Sequence, residues 1–138
     1  MFVGTLEAET GILRYASGGH EPGLIASAPD TAMGRVEQLE GTGSPVGALP
    51  PELTCFKEHE TTIPVGATLL LYTDGVSEAR PPHDRENWFG VERLKRELVR
   101  LSSLSPRRLV SALLEHVSWF CHGQFNDDVA MMAIRRLK

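Results

Sequence analysis

The chain has 138 residues, 41% of them hydrophobic and 23% charged, with a formal net charge of -4. That size and apolar share suffice for one domain with its own core and exclude disordered, collagen-like and coiled-coil compositions. The basic residues form no long block, so no nucleic-acid partner is expected; no run nears the ~20 apolar residues of a membrane helix and no signal-peptide pattern opens the chain, so no membrane partner is expected and a cytoplasmic location is the default.

In chain order, residues 1–7 read as a strand, Thr10-Gly11 as a turn and residues 12–15 as a second strand, together a hairpin. A chain that opens inside a strand is expected to begin partway through a larger domain. Residues 17–23, Ser-Gly-Gly-His-Glu-Pro-Gly, form a Gly-dependent loop into an apolar stretch over 24–28, which Pro29-Asp30 ends with turn chemistry. A short strand is predicted over 36–39, a Gly/Ser/Pro loop over 41–47, and a loosely alternating, exposed strand over 53–63. Pro64-Val65-Gly66 then turns into a strand over 67–72, whose Leu69-Leu70-Leu71 run lacks polar alternation, as burial on both faces would produce.

Val91, Leu94, Leu98 and Leu101 recur at helical spacing with charged residues on the other side, predicting an amphipathic helix over 91–101. A second helix is predicted with Ser105 as N-cap and Pro106 at its first position; it carries Leu109, Leu113, Val117 and Phe120 on one stripe and ends near His122-Gly123. A buried apolar strand over 129–134 closes the chain. The order of strands, two helices and a last strand gives the α+β class. Cys55 and Cys121 have no CxxC spacing and are expected to be reduced, with Cys121 filling core; Arg107, Arg108, Arg135 and Arg136 are expected to face solvent, and Trp88 and Trp119 to be packing residues.

Two acidic sites share one architecture: the strand over 67–72 ends at Asp74, and Asp127-Asp128 enters the last strand. Were these strands antiparallel neighbours, the two ends would lie side by side, the carboxylates could converge, and their repulsion would call for a cation. Mg²⁺ and Mn²⁺ take oxygen ligands and support phosphoryl chemistry. Asp-Gly is also a common turn dipeptide, and an Asx before a strand can be a plain loop residue, so both readings stand at this point.

Tyr72-Thr73-Asp74-Gly75-Val76-Ser77-Glu78-Ala79, with Asn126-Asp127-Asp128-Val129, resembles the bacterial SpoIIE/RsbU-type branch of the PP2C (PPM) metal-dependent protein phosphatases. Gly18-Gly19-His20-Glu21-Pro22, Pro45-Val46-Gly47, Pro64-Val65-Gly66-Ala67 and Phe89-Gly90 are similar to further family segments, in the same order. The resemblance implies a β-sandwich flanked by helices in α-β-β-α layers, with a binuclear Mn²⁺ or Mg²⁺ centre in the complete domain. Asp74 and Asp127 match metal ligands, Gly75 the small residue after the strand, and Asp128 a supporting or alternative ligand. Gly19 and His20 match a loop whose histidine is read here as structural.

Two departures stand out: Ala130 replaces the family's hydroxyl residue, and the family's upstream Gly-Gly-Asp-x-x-Asp and Asp-x-x-Gly-x-Gly segments have no counterpart, so the chain is expected to be an N-terminally truncated domain. The implied activity is phosphoserine/phosphothreonine hydrolysis on a regulator such as an anti-anti-sigma-type factor, with negligible turnover by this chain alone. The alternative is a non-catalytic remnant acting as a regulatory binding or dimerisation module, and open sheet edges make a homodimer plausible.

Overall fold

Alternation sets the first sheet. In the computed structural model, which describes residues 1–27, 35–41 and 43–138, β1 (Phe2–Leu6) and β2 (Ile12–Ser17) form an antiparallel hairpin in the register Phe2↔Ser17 to Leu6↔Leu13. Leu13, Tyr15 and Ser17 are buried on one face of β2. The turn depends on Gly11, whose φ of 76° lies in the left-handed region. The second sheet holds β3 (Leu24–Ala26) and β4 (Val36–Gln38), then β6 (Thr68–Tyr72) and β7 (Met131–Arg135). β5 (His59–Thr62) joins the first sheet, giving the orders β1-β2-β5 and β4-β3-β6-β7, with every named pairing antiparallel.

Three helices complete the described fold: α1 (Asp74–Ser77), α2 (Val91–Arg100) and α3 (Pro106–Phe120). The leucine run of β6 explains itself in this setting. Leu70 and Tyr72 pack with Leu94, Leu98, Leu109, Leu113 and Val117 of the helices, whereas Leu69 joins Leu13, Tyr15, Ile25 and Ile63 between the sheets. A strand with helices on one face and a sheet on the other has no use for alternation. Cys121 is fully buried in the helical core, as its place on the apolar stripe predicts. Among the described residues no helix is long and apolar enough to cross a membrane.

Several expectations need correction. The last strand is not buried on both faces: it starts at Met131, forms the edge of its sheet, and leaves Met132 51% exposed. Met131 and Ala133 pack against the helical core and Ile134 against the cluster between the sheets, each only partly buried; among the described residues β7 pairs with β6 alone. The strand predicted over 53–63 shrinks to His59–Thr62, because Pro50 and Pro51 open a 3₁₀ turn, Pro51–Leu53, ahead of it. Trp88 and Trp119 do not pack in the interior; they are 48% and 85% exposed. Ser105 occupies the N-cap of α3 with extended backbone, but its side chain makes no capping bond. The Pro29-Asp30 turn and Ala28 lie outside the described residues, and the strand expected over 24–28 is observed as Leu24–Ala26.

Candidate metal-binding site

The antiparallel ladder of β6 and β7 ends at the pair Tyr72↔Met131, so the chain leaving β6 and the chain approaching β7 run side by side beyond it. Thr73 joins them. Its N–H donates to the Ala130 carbonyl at 3.1 Å, its hydroxyl donates to the Asp128 carbonyl at 2.8 Å, and the same oxygen accepts the Ala130 N–H at 2.9 Å. One side chain thus holds both ends of the 128–130 segment.

Gly75 brings the segments closer. A Cβ there would stand 2.5 Å from the Asp128 carbonyl oxygen, closer than real Cβ contacts come, and a tight 3.1 Å from that of Asp127. Only glycine lets the start of α1 lie against the backbone that carries both aspartates. The sequence reads Asp74-Gly75 as a strand exit or turn; instead Asp74 opens a single helical turn, with the Glu78 N–H donating to the Asp74 carbonyl at 2.7 Å.

Asp74 and Asp127 are exposed, and each uses one carboxylate oxygen on the amide that follows it. Asp74 Oδ1 accepts the Gly75 N–H at 2.9 Å and Asp127 Oδ1 accepts the Asp128 N–H at 2.7 Å. These bonds fix the carboxylates locally, and the second oxygen of each is the candidate ligand. Asp128 is exposed too, and what the structure shows of it is its backbone: a carbonyl held by Thr73. A cleft of about 80 Å³ beside the pair is lined by Gly75, Glu78, Arg80, Asn126 and Asp127. Glu78 and Arg80 were not singled out from sequence, although Glu78 lies inside the Tyr72–Ala79 motif; Arg80 brings a positive charge to a carboxylate cleft.

Among the described residues no three His, Cys, Asp or Glu side chains are grouped to hold a metal ion. The donor set therefore fits one side of a divalent-ion site: two hard oxygen donors on adjoining backbone, short of the six or so ligands such ions take.

His20 does not join the aspartates. Its Nδ1 lies 2.7 Å from the Glu21 carbonyl, its ring stands 6.0 Å from that of Phe2, and it lines an apolar hollow of about 550 Å³ between the sheets. Thr73 and Ala130 also line this hollow. Gly19 has φ of 63°, and a Cβ there would come within 2.6 Å of Pro45, so the Gly-His loop and the Pro45-Val46-Gly47 loop pack directly together. Tyr72, at the end of β6, is buried with no hydrogen-bond partner for its hydroxyl among the described residues; burial, with the nearby Glu21 adding to it, raises its pKa well above the usual phenol value.

Residues 1–137 match the stage II sporulation protein E (SpoIIE) family. The chain is 30% identical over 137 residues to protein IcfG of Synechocystis sp., covering 99% of this chain and 20% of that protein. It is 27% identical over 138 residues to the phosphoserine phosphatase RsbU of Bacillus subtilis, covering 99% of this chain and 38% of that one. The chain therefore spans well under half the length of both relatives. Of solved structures, it is similar to the RsbU and RsbW domains of Rv1364c from Mycobacterium tuberculosis, with a TM-score of 0.77, 29% identity, and coverage of 98% of this chain and 35% of that one. The phosphatase domain of the cell fate determinant SpoIIE from Bacillus subtilis shares the fold, with a TM-score of 0.73 at 19% identity over 98% of this chain and 55% of that one.

Proposed function

The chain belongs to the SpoIIE family, and on that premise we propose that it forms one side of the metal centre of a protein phosphatase that hydrolyses phosphoserine or phosphothreonine on a regulatory protein. The observation that carries the reading is the junction of β6 and β7, where Thr73 and Gly75 hold Asp74 and Asp127 on adjoining backbone at one sheet end. Asp74 and Asp127 would hold Mn²⁺ or Mg²⁺, with Asp128 and Glu78 next to them. Bound there, such ions supply an activated water and neutralise charge on the phosphoryl group. The chain's own part is positional: Thr73 fixes the spacing of the two segments, the amides of Gly75 and Asp128 orient the carboxylates, and Arg80 places a cation beside the cleft. The natural substrate on this reading is a small phosphorylated regulator of the anti-anti-sigma type.

A second reading is favoured by one observation, the want of a third ligating side chain among the described residues. On that reading the chain is a non-catalytic module that keeps the fold. A chimera separates the two. The part of the RsbU phosphatase domain that precedes the matched region is fused ahead of Met1 and assayed on a phosphoserine peptide with Mn²⁺. Metal-dependent turnover, lost in Asp74→Asn and in Asp127→Asn, supports the phosphatase reading; a folded but inactive chimera supports the module. The chain by itself is expected to give negligible turnover, and a steady Mn²⁺-dependent rate abolished by Asp74→Asn would show that it needs no complement.

A further inference from the structure

The helical layer carries a groove that the proposed phosphatase site does not use. It measures about 420 Å³ and lies between α2 and α3, with Arg93 in its wall and Trp119 at its rim. The Arg93 guanidinium sits 4.2 Å from the centroid of the Phe120 ring and 5.6 Å from that of Phe89, and the two rings meet edge to face at 5.4 Å. Aromatic faces hold the cation but accept no conventional hydrogen bond from it. The Nη1 atom of Arg93 is buried and, among the described residues, has no hydrogen-bond partner. A buried donor of this kind is an unmet demand for an acceptor oxygen.

The surrounding charge has the same sign. Glu97 is the carboxylate in the groove, and it is already engaged by Arg100 and by His116, each at 2.8 Å. Residues 91–120 contain six basic side chains (Arg93, Lys95, Arg96, Arg100, Arg107, Arg108) and three acidic ones (Glu92, Glu97, Glu115), whereas the whole chain has 14 and 18. The helical layer is thus a positive region on an acidic protein. Beside it Trp119 is 85% exposed, and it also borders a second depression with Pro81 and His122. An exposed tryptophan next to a cation held on aromatic rings is the composition of an interface anchor, and Trp and Arg are the residues most often found at such points.

We propose that this groove docks an acidic, apolar polypeptide segment of a partner protein, with a carboxylate of the segment accepting from Arg93 and an apolar side chain covering Trp119. A carboxylate matches the planar guanidinium in geometry as well as in charge. A wholly apolar partner would leave the buried Nη1 donor unmet, and a second copy of this chain would set like-charged helical layers against each other.

The probe is a blocked synthetic peptide in which Leu and Phe alternate with Glu and Asp, compared with its Gln/Asn counterpart and with a counterpart bearing phosphoserine. Binding to the full chain is followed by calorimetry and tryptophan emission. The acidic peptide is expected to bind and to shift emission to the blue, with the Gln/Asn peptide weaker by about tenfold or more. Trp119→Ala and Arg93→Gln should each weaken the acidic peptide by a similar factor. Should Arg93→Gln disturb the fold, Trp119→Ala, altering an exposed side chain, and the acid-to-amide ratio decide the matter together. Equal binding of acid and amide peptides, preference for the phosphoserine peptide, or no binding of any probe overturns the proposal. So does a blue shift driven by protein concentration alone, which would put a second copy in the groove.

Discussion

At the scale of single residues, the site rests on two uncharged residues, Thr73 and Gly75. Gly75 allows the contact between α1 and the 127–128 backbone. Gly75→Ala would place a methyl 2.5 Å from a backbone oxygen that has no rotamer to escape through. The variant is expected to lose about 1–3 kcal/mol in urea unfolding, the range for forced overpacking; an unchanged midpoint would mean that the two segments separate freely. Tyr72 tests burial rather than contact. Its phenol pKa is raised by desolvation first and by Glu21 second, so the folded state favours the neutral form. The resulting stabilisation is complete below the unfolded value of about 10 and disappears as pH rises from there through the folded value. Tyr72→Phe is therefore expected to leave stability at neutral pH unchanged or slightly higher, since the hydroxyl has no hydrogen-bond partner among the described residues, and to flatten the alkaline decline. A clear loss at neutral pH would reveal a bond that the phenol does make.

These residues also mark what was legible beforehand. Asp74 and Asp127 could be singled out on two grounds: each adjoins an apolar run, which alone leaves turn chemistry open, and the segments around them resemble the family's motifs. Thr73 could not, because its partners lie 55 and 57 positions away and its role exists only once β6 and β7 are paired. The helical turn at Asp74 was hidden for a related reason. Asp-Gly reads as a turn, and the following Val76 and Ser77 are buried by the helical core rather than by any local pattern.

At the scale of elements, β6 and β7 teach opposite lessons from similar sequences. The leucines of β6 are apolar because both faces are covered; Met131, Ala133 and Ile134 meet the same two clusters but stay partly exposed on a strand that, among the described residues, pairs with β6 alone. Composition reports what a strand tolerates, and the position in the sheet decides what it buries. α2 and α3 are legible to within a few residues because spacing at three and four positions has one solution, while β5 is overextended because loose alternation does not see the proline turn before it. As an edge with exposed Met132, β7 is open to pairing with another copy. The chain is accordingly expected to self-associate with rising concentration in sedimentation velocity, and Met132→Lys to reduce that association while changing stability by no more than about 0.5 kcal/mol. Identical sedimentation of the two proteins would move the contact away from β7.

For the whole molecule, one arrangement connects the layers. Helices cover the outer face of the second sheet, the first sheet covers its inner face, and the β6–β7 end projects two aspartates where chain segments far apart in sequence meet. On the proposed reading, an ion would sit between these two segments. The most direct test follows amide line broadening by NMR as Mn²⁺ is added to the isolated chain in small steps. The amides of Asp74, Gly75, Asp127 and Asp128 are expected to broaden first and together, weakly, and Asp74→Asn or Asp127→Asn alone should abolish the effect at both segments. Broadening confined to one segment, centred elsewhere, or indifferent to either substitution would contradict a shared site.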